Sequence, residues 1–363
     1  MNPTPAPVFD KNLDAKEKQD RLTMFLKFLI LKKLLSSVKD RRVVIVESLL
    51  SPEDVRDAIA KSLFESPSLG TPSILFAPSH LLCTFPFNAK VALVVDVGYN
   101  EAVLFPVWET IVMLNNWQAG PLGSARVEQN IQKLLLKLAK IRCYDNSVRQ
   151  FEERDLELIE KNYILEDICV RFCFATTRER GLKIQLNAID NSIQIDASPP
   201  DVELPFGTEM LILPGYIREA AAEVIFTHGD VDSRSLPQLI LDTVVKCPVD
   251  LRKVFLKNLL VVGGLARMPG FLARLKSELL WLMANEFSLL DKINDVQFYR
   301  YPQDINLELY CSWLGGSMFG SLEILQSRSL SREEWLLKKK VPDWTKIIDD
   351  YTIPPHVNIH RDR

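Results

Sequence analysis

Residues 91–108 read VALVVDVGYNEAVLFPVW, an apolar run that stops at Asp-x-Gly, turns through Tyr-Asn and leaves as a second apolar run. A strand that ends this way and doubles back can wrap its turn amides around a phosphate while the Asp96 carboxylate holds a magnesium-bound water. The same residues suit a plain β-hairpin in which Gly98 only makes the turn, and taken alone the stretch fits the hairpin better. A second stretch, LVVGGLARMPGF (260–271), sets Gly263 and Gly264 after a strand and opens a helix at Pro269-Gly270. Such a junction lets a nucleotide approach backbone closely at a helix N-terminus, although an ordinary strand-to-helix turn needs the same glycines. A third, YCSWLGGSMFGSLEI (310–324), carries Gly315 and Gly316, which permit tight helix packing.

The other reactive residue types are scattered. Cys83, Cys143, Cys169, Cys173, Cys247 and Cys311 mostly stand singly in apolar segments, as buried reduced thiols do. Cys169 and Cys173 lie four apart in ICVRFCF, but no second Cys/His pair has zinc-finger spacing, and His80, His228, His356 and His360 do not cluster, so no metal site is expected. The formal charge is -3, from 44 basic and 47 acidic residues, with no long block of either sign. That balance excludes a nucleic-acid field as the main business of the surface. The most apolar stretch, LTMFLKFLILKKLL (22–35), is interrupted by Lys27, Lys32 and Lys33. It cannot supply the roughly 20 apolar residues of a membrane span and reads as a packed helix. MNPTPAPVFD shows no basic-then-apolar leader, so the cytosol is the default compartment.

These residues need elements to hold them, and the hydrophobic pattern alternates strands with helices. A helix over 20–37 is followed by RVVIVES (42–48), a β-branched strand. SPEDVRDAIAKSLF is then a helix with Ser51 as N-cap, Pro52 at the first helical position and Asp54 closing a capping box. SILFA (73–77) is a strand, Ser79 caps a short helix through HLLCTF, and VALVVDVG (91–98) is a strand whose sheet is extended by the hairpin of EAVLFPVW and ETIVML. LGSARVEQNIQKLLLKLAK (122–140) is a long amphipathic helix. Residues 141–163 and 176–235 read as polar and irregular, with DASPPDVELPFG (196–207) a loop. Order returns with a helix through LPQLILDTVVKC, a strand at NLLVVGG (258–264), a helix after MPG, a last helix from about Gly316, and an extended tail from Lys338 carrying Pro342, Pro354 and Pro355. At 363 residues the chain should form two lobes or domains, and the alternation predicts an α/β fold with mainly parallel pairing.

The order VVDVG, VVGG(x)4PG, WLGGS resembles the actin superfamily, the group of actin, Hsp70 and sugar kinases. KCPVDLRKVFLKNLLVVGG (246–264) is similar to the segment leading into the adenosine loop of actins, and VELPFGTEMLILPGYIREAAAEVIF (202–226) to the strand, strand and helix before it. LQSRSLSREEW (325–335) matches the actin ending, so the likeness covers nearly all of 20–335. DRRVVIVESLLSP, ILFAPSHLL, VLFPVWETIVMLNNW and QSRSLSREEW most resemble the actin-related branch found at the pointed end of dynactin. The resemblance implies an actin-like two-lobed fold: an N-terminal extension over 1–19, a small lobe of 20–86 and 311–337, a large lobe of 87–310 and a tail over 338–363. Because the chain begins just ahead of the 20–37 helix, the first half of the phosphate clamp and most of an outer subdomain are expected to be missing, which leaves the N-terminal lobe incomplete.

Departures from the actin pattern bear on the chemistry. Ungapped matching from Asp96 puts Ser79 where actins have a water-positioning glutamine, Tyr99 at the second acidic position of the turn and Val103 at the histidine near the attacking water. Cys169 and Val170 replace a lysine-glutamate pair, Leu309 an adenine-facing lysine and Met268 a tyrosine. A serine cannot orient a water as an amide does, and valine offers no donor. Asp96, Gly98, Gly263, Gly264 and Gly270 persist as a vestigial nucleotide site with no catalytic residue, no expected cofactor and at most weak binding of magnesium ATP or ADP. The resemblance therefore implies a non-catalytic, cytoplasmic and cytoskeletal subunit that caps the pointed end of the dynactin actin-like filament. Its partners would be the actin-related filament subunit and the other pointed-end subunits, with no nucleic acid and no membrane insertion. The same matching lines a cleft for the filament partner with Phe85, Thr110, Ile111, Phe319 and Leu322. Two other readings stay open: a scaffold in a nuclear chromatin-remodelling complex, and a residual ATP-binding protein of the wider group.

Overall fold

β-Branched runs become strands wherever a partner run lies within reach, and the turns between them decide their direction. The computed structural model describes Val8 and residues 13–190, 193–229, 233–300, 307–323 and 325–342. Most of the expected N-terminal extension, the tail from 343 onward, and Pro354, Pro355, His356 and His360 lie outside the described residues. The chain divides into two units, Met1–Ser79 with Gly316–Arg363, and His80–Gly315.

In the first unit the expected single helix over 20–37 is a helix Ala15–Lys27 that continues as a π-helix, Phe28–Lys33. Asp14 starts it earlier than the apolar pattern suggests, its side chain accepting from the Glu17 amide at 2.6 Å. Strand Val43–Glu47 runs parallel to Ser73–Pro78, and Leu330–Ser331 pairs antiparallel on the far side of the latter. The crossover helix Glu53–Glu65 is capped by Pro52, not by Ser51. The expected capping box fails because the Ser51 amide turns back to the Ser48 carbonyl at 3.0 Å, while Asp54 accepts from its neighbour Val55. A core of Leu63, Phe64, Leu69, Ile74 and Trp335 holds these pieces. Helix Arg332–Lys338 is fastened by a capping box between Ser331 and Glu334.

The second unit carries two sheets. One has the order Leu259–Val262, Ala92–Val97, Ala102–Trp108, Ile111–Val112, with Gln118–Gly120 also on Ala102–Trp108. The other orders Val148–Gln150, Lys140–Arg142, Glu209–Leu213 and Val202–Phe206. The expectation of mainly parallel pairing is corrected: among the described residues only Val43–Glu47 with Ser73–Pro78 and Leu259–Val262 with Ala92–Val97 are parallel. Short turns such as 98–101 and Gly207, at φ +62°, join consecutive strands directly and so force them antiparallel. The segments read as irregular also hold structure, including helices Leu156–Lys161 and Arg178–Ile189, and the second half of the supposed 196–207 loop is strand Val202–Phe206.

Helix Ser124–Leu138 buries Val127, Ile131 and Leu135, one per turn on the face toward the sheet. Each such side chain contributes about 1.5–3 kcal/mol by leaving water. The last long helix runs Leu307–Gly320, well before the expected start at Gly316. Its apolar sequence continues through both glycines because Gly315 lets it approach the Leu82 backbone: an added Cβ would lie 1.8 Å from that carbonyl oxygen.

Candidate functional site

Asp96 lies in the central strand of the first sheet, opposite Val103 in antiparallel register and beside Val262 in parallel register. Burial raises its pKa, and the charge of Glu101 raises it further. The turn that follows is closed on itself, the Gly98 amide donating to the Glu101 carbonyl at 3.0 Å. Its carbonyls are also engaged: Gly98 accepts from the Ser124 amide at 3.0 Å and Tyr99 from the Ala125 amide at 2.9 Å. These are first-turn amides of helix Ser124–Leu138, the groups that would otherwise meet an anion. The approach requires glycine at 123, where an added Cβ would fall 2.1 Å from the Tyr99 oxygen.

Gly263 joins this group. It sits at φ +97° with the space for a Cβ filled by the Val97 carbonyl, 2.2 Å away, between Asp96 and Gly98 in the strand. Gly264 faces open space, with nothing within 4 Å of a built Cβ. Gly270, at φ +80°, packs instead on the Ala175 carbonyl, and the Ala175 amide returns a hydrogen bond to Pro269 at 2.8 Å. Backbone contact thus accounts for Gly263 and Gly270, while Gly264 alone leaves room. Beside Gly270 a cavity of about 280 Å³ is lined by Ala266–Ala273 and Arg300.

The substituted positions are placed as follows. Ser79 opens the short helix Ser79–Leu82. Val103 is buried in its strand. A histidine does lie close to it, one that the sequence comparison passed over: His80 hydrogen-bonds the Val103 backbone and packs edge-on against Phe105 with ring centroids 4.8 Å apart. Burial lowers the His80 pKa to about 4, so this imidazole is a neutral core group at pH 7. Cys169 is buried and its thiol pushed up to about 12 by burial, with the charges of Glu128 and Glu166 adding to the effect. Val170 and Leu309 are exposed, and Met268 is buried. The Tyr99 hydroxyl donates to Glu128 Oε2 at 3.0 Å, at the edge of a cavity of about 400 Å³ between helices Ser124–Leu138, Leu156–Lys161 and Ile164–Arg171.

Of the residues matched to a partner cleft, Phe85, Thr110 and Ile111 belong to the larger unit and Phe319 and Leu322 to the smaller. Ile111 is 70% exposed on the short return strand of the hairpin, and Thr110 holds the turn at φ +65° with its amide on the Lys90 carbonyl at 3.0 Å. Phe85 begins a 3-10 turn and is half-buried. Phe319 is half-buried near its helix end, and Leu322 lies beyond that end, exposed.

One polar assembly has no counterpart in the sequence reading. Arg274, fully buried, donates to both carboxylate oxygens of Glu223 at 2.8 and 2.9 Å and to Glu278 at 2.8 Å. Arg178 donates to the same Glu278 at 3.1 Å and stacks over Trp281, and Gln185 donates to Glu223 at 2.7 Å. The i,i+4 spacing of Arg274 and Glu278 was the available signal, but such pairs are usually solvated. No group of described residues could hold a metal ion, and no described helix is long and apolar enough to cross a membrane.

Comparison with known proteins agrees with this architecture. The actin family model matches residues 16–337. Actin-related protein 10 of Dictyostelium discoideum is 27% identical over 376 aligned residues, covering 92% of this chain and 75% of the relative. Actin-related protein 4 of Oryza sativa subsp. indica is 22% identical over 325 residues, covering 84% and 70%. The SWI/SNF and RSC complexes subunit arp42 of Schizosaccharomyces pombe is 22% identical over 334 residues, covering 81% and 73%. With the family match spanning nearly all the described chain, and the hairpin, glycine junction and α/β topology where that family keeps them, the chain belongs to the actin family.

Proposed function

We propose that this chain is a non-catalytic actin-related subunit that caps the pointed end of the dynactin actin-like filament, in the cytoplasm, in support of dynein-driven transport along microtubules. The observation that carries the non-catalytic part is the turn at 98–101. Its Gly98 amide is spent on Glu101, its carbonyls are spent on Ser124 and Ala125, and the neighbouring cavity is lined by glutamates. These residues do not fit a magnesium nucleotide, which needs free amides and cationic side chains around its phosphates. No hydrolytic step is assigned to Ser79, Val103 or the buried His80. Titration with Mg-ATP in a calorimeter tests this directly. Negligible heat and no phosphate release above buffer are expected, and sub-micromolar affinity or turnover would sink the reading.

The capping part is supported by the resemblance of QSRSLSREEW and VLFPVWETIVMLNNW to the dynactin pointed-end branch, and by the large apolar side chain of Ile111 held out at a hairpin tip. An exposed isoleucine at such a tip suits the core of a protein interface. The alternative is a scaffold of a chromatin-remodelling complex, favoured by the likeness to the SWI/SNF and RSC complexes subunit arp42. Affinity purification separates the two: dynactin subunits are expected, and recovery of remodeller subunits in their place would overturn the proposal.

A further inference from the structure

The cavity beside Tyr99 has an unusual charge balance. Its volume is about 400 Å³, and its lining includes Glu128, Glu160, Glu166, Tyr99 and Tyr163 but no lysine, arginine or histidine. The three carboxylates come from three separate helices, Ser124–Leu138, Leu156–Lys161 and Ile164–Arg171, so the fold, and not one helix face, brings them together. Elsewhere in the unit carboxylates find basic partners, as Glu278 does with Arg274 and Arg178. Among the described residues none of Glu128, Glu160 and Glu166 has a basic side chain within ion-pair distance. The carboxylates feel one another across the space. Burial raises the Glu128 pKa and Glu166 raises it further, and Glu166 also adds to the raised pKa of Tyr99.

The two tyrosines supply the rest of a cation receptor. Tyr99 and Tyr163 are both about half exposed, and Tyr163 is held at φ +54°, an uncommon conformation for a bulky residue, as the cap of helix Ile164–Arg171. Aromatic rings together with carboxylates bind guanidinium and ammonium groups through cation–π attraction and charge-assisted hydrogen bonds.

We propose that this cavity receives an arginine or lysine side chain from a basic segment of a partner polypeptide. The argument rests on the reading above that the adjoining turn no longer serves a nucleotide, because a triphosphate and three unpaired glutamates would repel one another. Charge complementarity selects the occupant: an acidic or neutral segment leaves the carboxylates as they are, while one cation satisfies two or three of them at once. Tyr99 joins the old turn to the new pocket, since its hydroxyl already holds Glu128 in place.

The test uses the full chain and a peptide, acetyl-Gly-Arg-Lys-Arg-Gly-amide, titrated by calorimetry in low and high salt. Submillimolar binding is expected, weakened by salt, and weakened about tenfold or more by Glu128→Gln with Glu166→Gln, the loss of a charge-assisted hydrogen bond being of that size. The same peptide with citrulline for arginine and acetyl-lysine for lysine should not bind. Circular dichroism of the double variant should match the parent, because neither substitution removes a buried apolar contact. Absence of peptide binding, equal binding of the uncharged peptide, or unchanged binding by the double variant would overturn the proposal, as would binding of spermidine without the peptide. A parallel Mg-ATP titration keeps the two ideas apart: tight ATP binding defeats the vestigial-site reading, while failure of both ligands defeats only the cation proposal.

Discussion

Gly181 stands where a Cβ would meet the guanidinium of Arg274, 2.2 Å from Nη1 and 2.4 Å from Nη2. The arginine cannot swing aside cheaply, because its side chain is fully buried and divided between Glu223 and Glu278. Gly181→Ala should therefore destabilise the fold by about 1–3 kcal/mol, the usual cost of overpacking, despite the better helix propensity of alanine. Urea unfolding followed by circular dichroism measures it. A midpoint unchanged or raised would mean that the ionic cluster is looser than its geometry.

The six cysteines are all free, and only Cys143 is even half exposed. Burial pushes the Cys169 thiol to about 12 and the Cys247 thiol to about 11, so neither is a thiolate at pH 8. Under native conditions a thiol reagent at pH 8 should label Cys143 quickly and the other five only after denaturation. Alkylation in denaturant without reductant should then label all six. A disulfide-linked peptide in the digest would contradict the reduced state.

His80 makes stability depend on pH. Its folded pKa is about 4, against a reference value of 6.5, because burial disfavours the imidazolium more than the Val103 hydrogen bond favours it. The unfolded chain takes up the proton first, so stability is constant above about pH 6.5 and falls as pH drops toward 4. At pH 5 the loss from this group should be about 2 kcal/mol. His80→Leu removes it: the difference in unfolding free energy between pH 7.5 and pH 5 should shrink by about that amount relative to the parent. Parallel pH profiles for the two proteins would show that His80 titrates normally.

Ile111 tests the polarity of assembly. At 70% exposure it contributes little to the fold, so Ile111→Asp should leave the unfolding midpoint within about 0.5 kcal/mol of the parent. At a buried partner contact the same change removes about 1.5–3 kcal/mol of apolar burial and adds an unpaired carboxylate. Co-sedimentation with actin-like filament subunits should fall at least tenfold. Electron microscopy should show the parent protein at pointed ends only, and its presence along filaments or at barbed ends would refute the orientation.

Much of the framework was legible because it rests on local chemistry. The β-branched run RVVIVES, the amphipathic LGSARVEQNIQKLLLKLAK and the strand before Gly263 all formed within a few residues of their expected bounds. Pairing direction was less legible, since the hairpin turns that decide it are short and carry one glycine or none. The Ser51 capping box failed because Ser48 competed for the same amide, a competition that spacing cannot rank. Asp96, Gly98 and Gly263 come together as their motifs suggest, whereas Gly270 is drawn to Ala175, a residue far away in sequence. Nothing local announces that Gly181 makes room for Arg274, or that Glu128, Glu160 and Glu166 face one cavity. Such relations arise only when separate elements pack.

The bonds from Ser124 and Ala125 to the carbonyls of Gly98 and Tyr99 also set how this region fluctuates. Lifting the hairpin turn strips the helix Ser124–Leu138 of the acceptors at its first turn, so the two can open only as one cooperative unit. Amide protons at 98, 124 and 125 then share a single slow exchange process, tied to the stability of a 15-residue helix and not to the mobility of a loop. A turn shaped like a lid has become a rivet between sheet and helix.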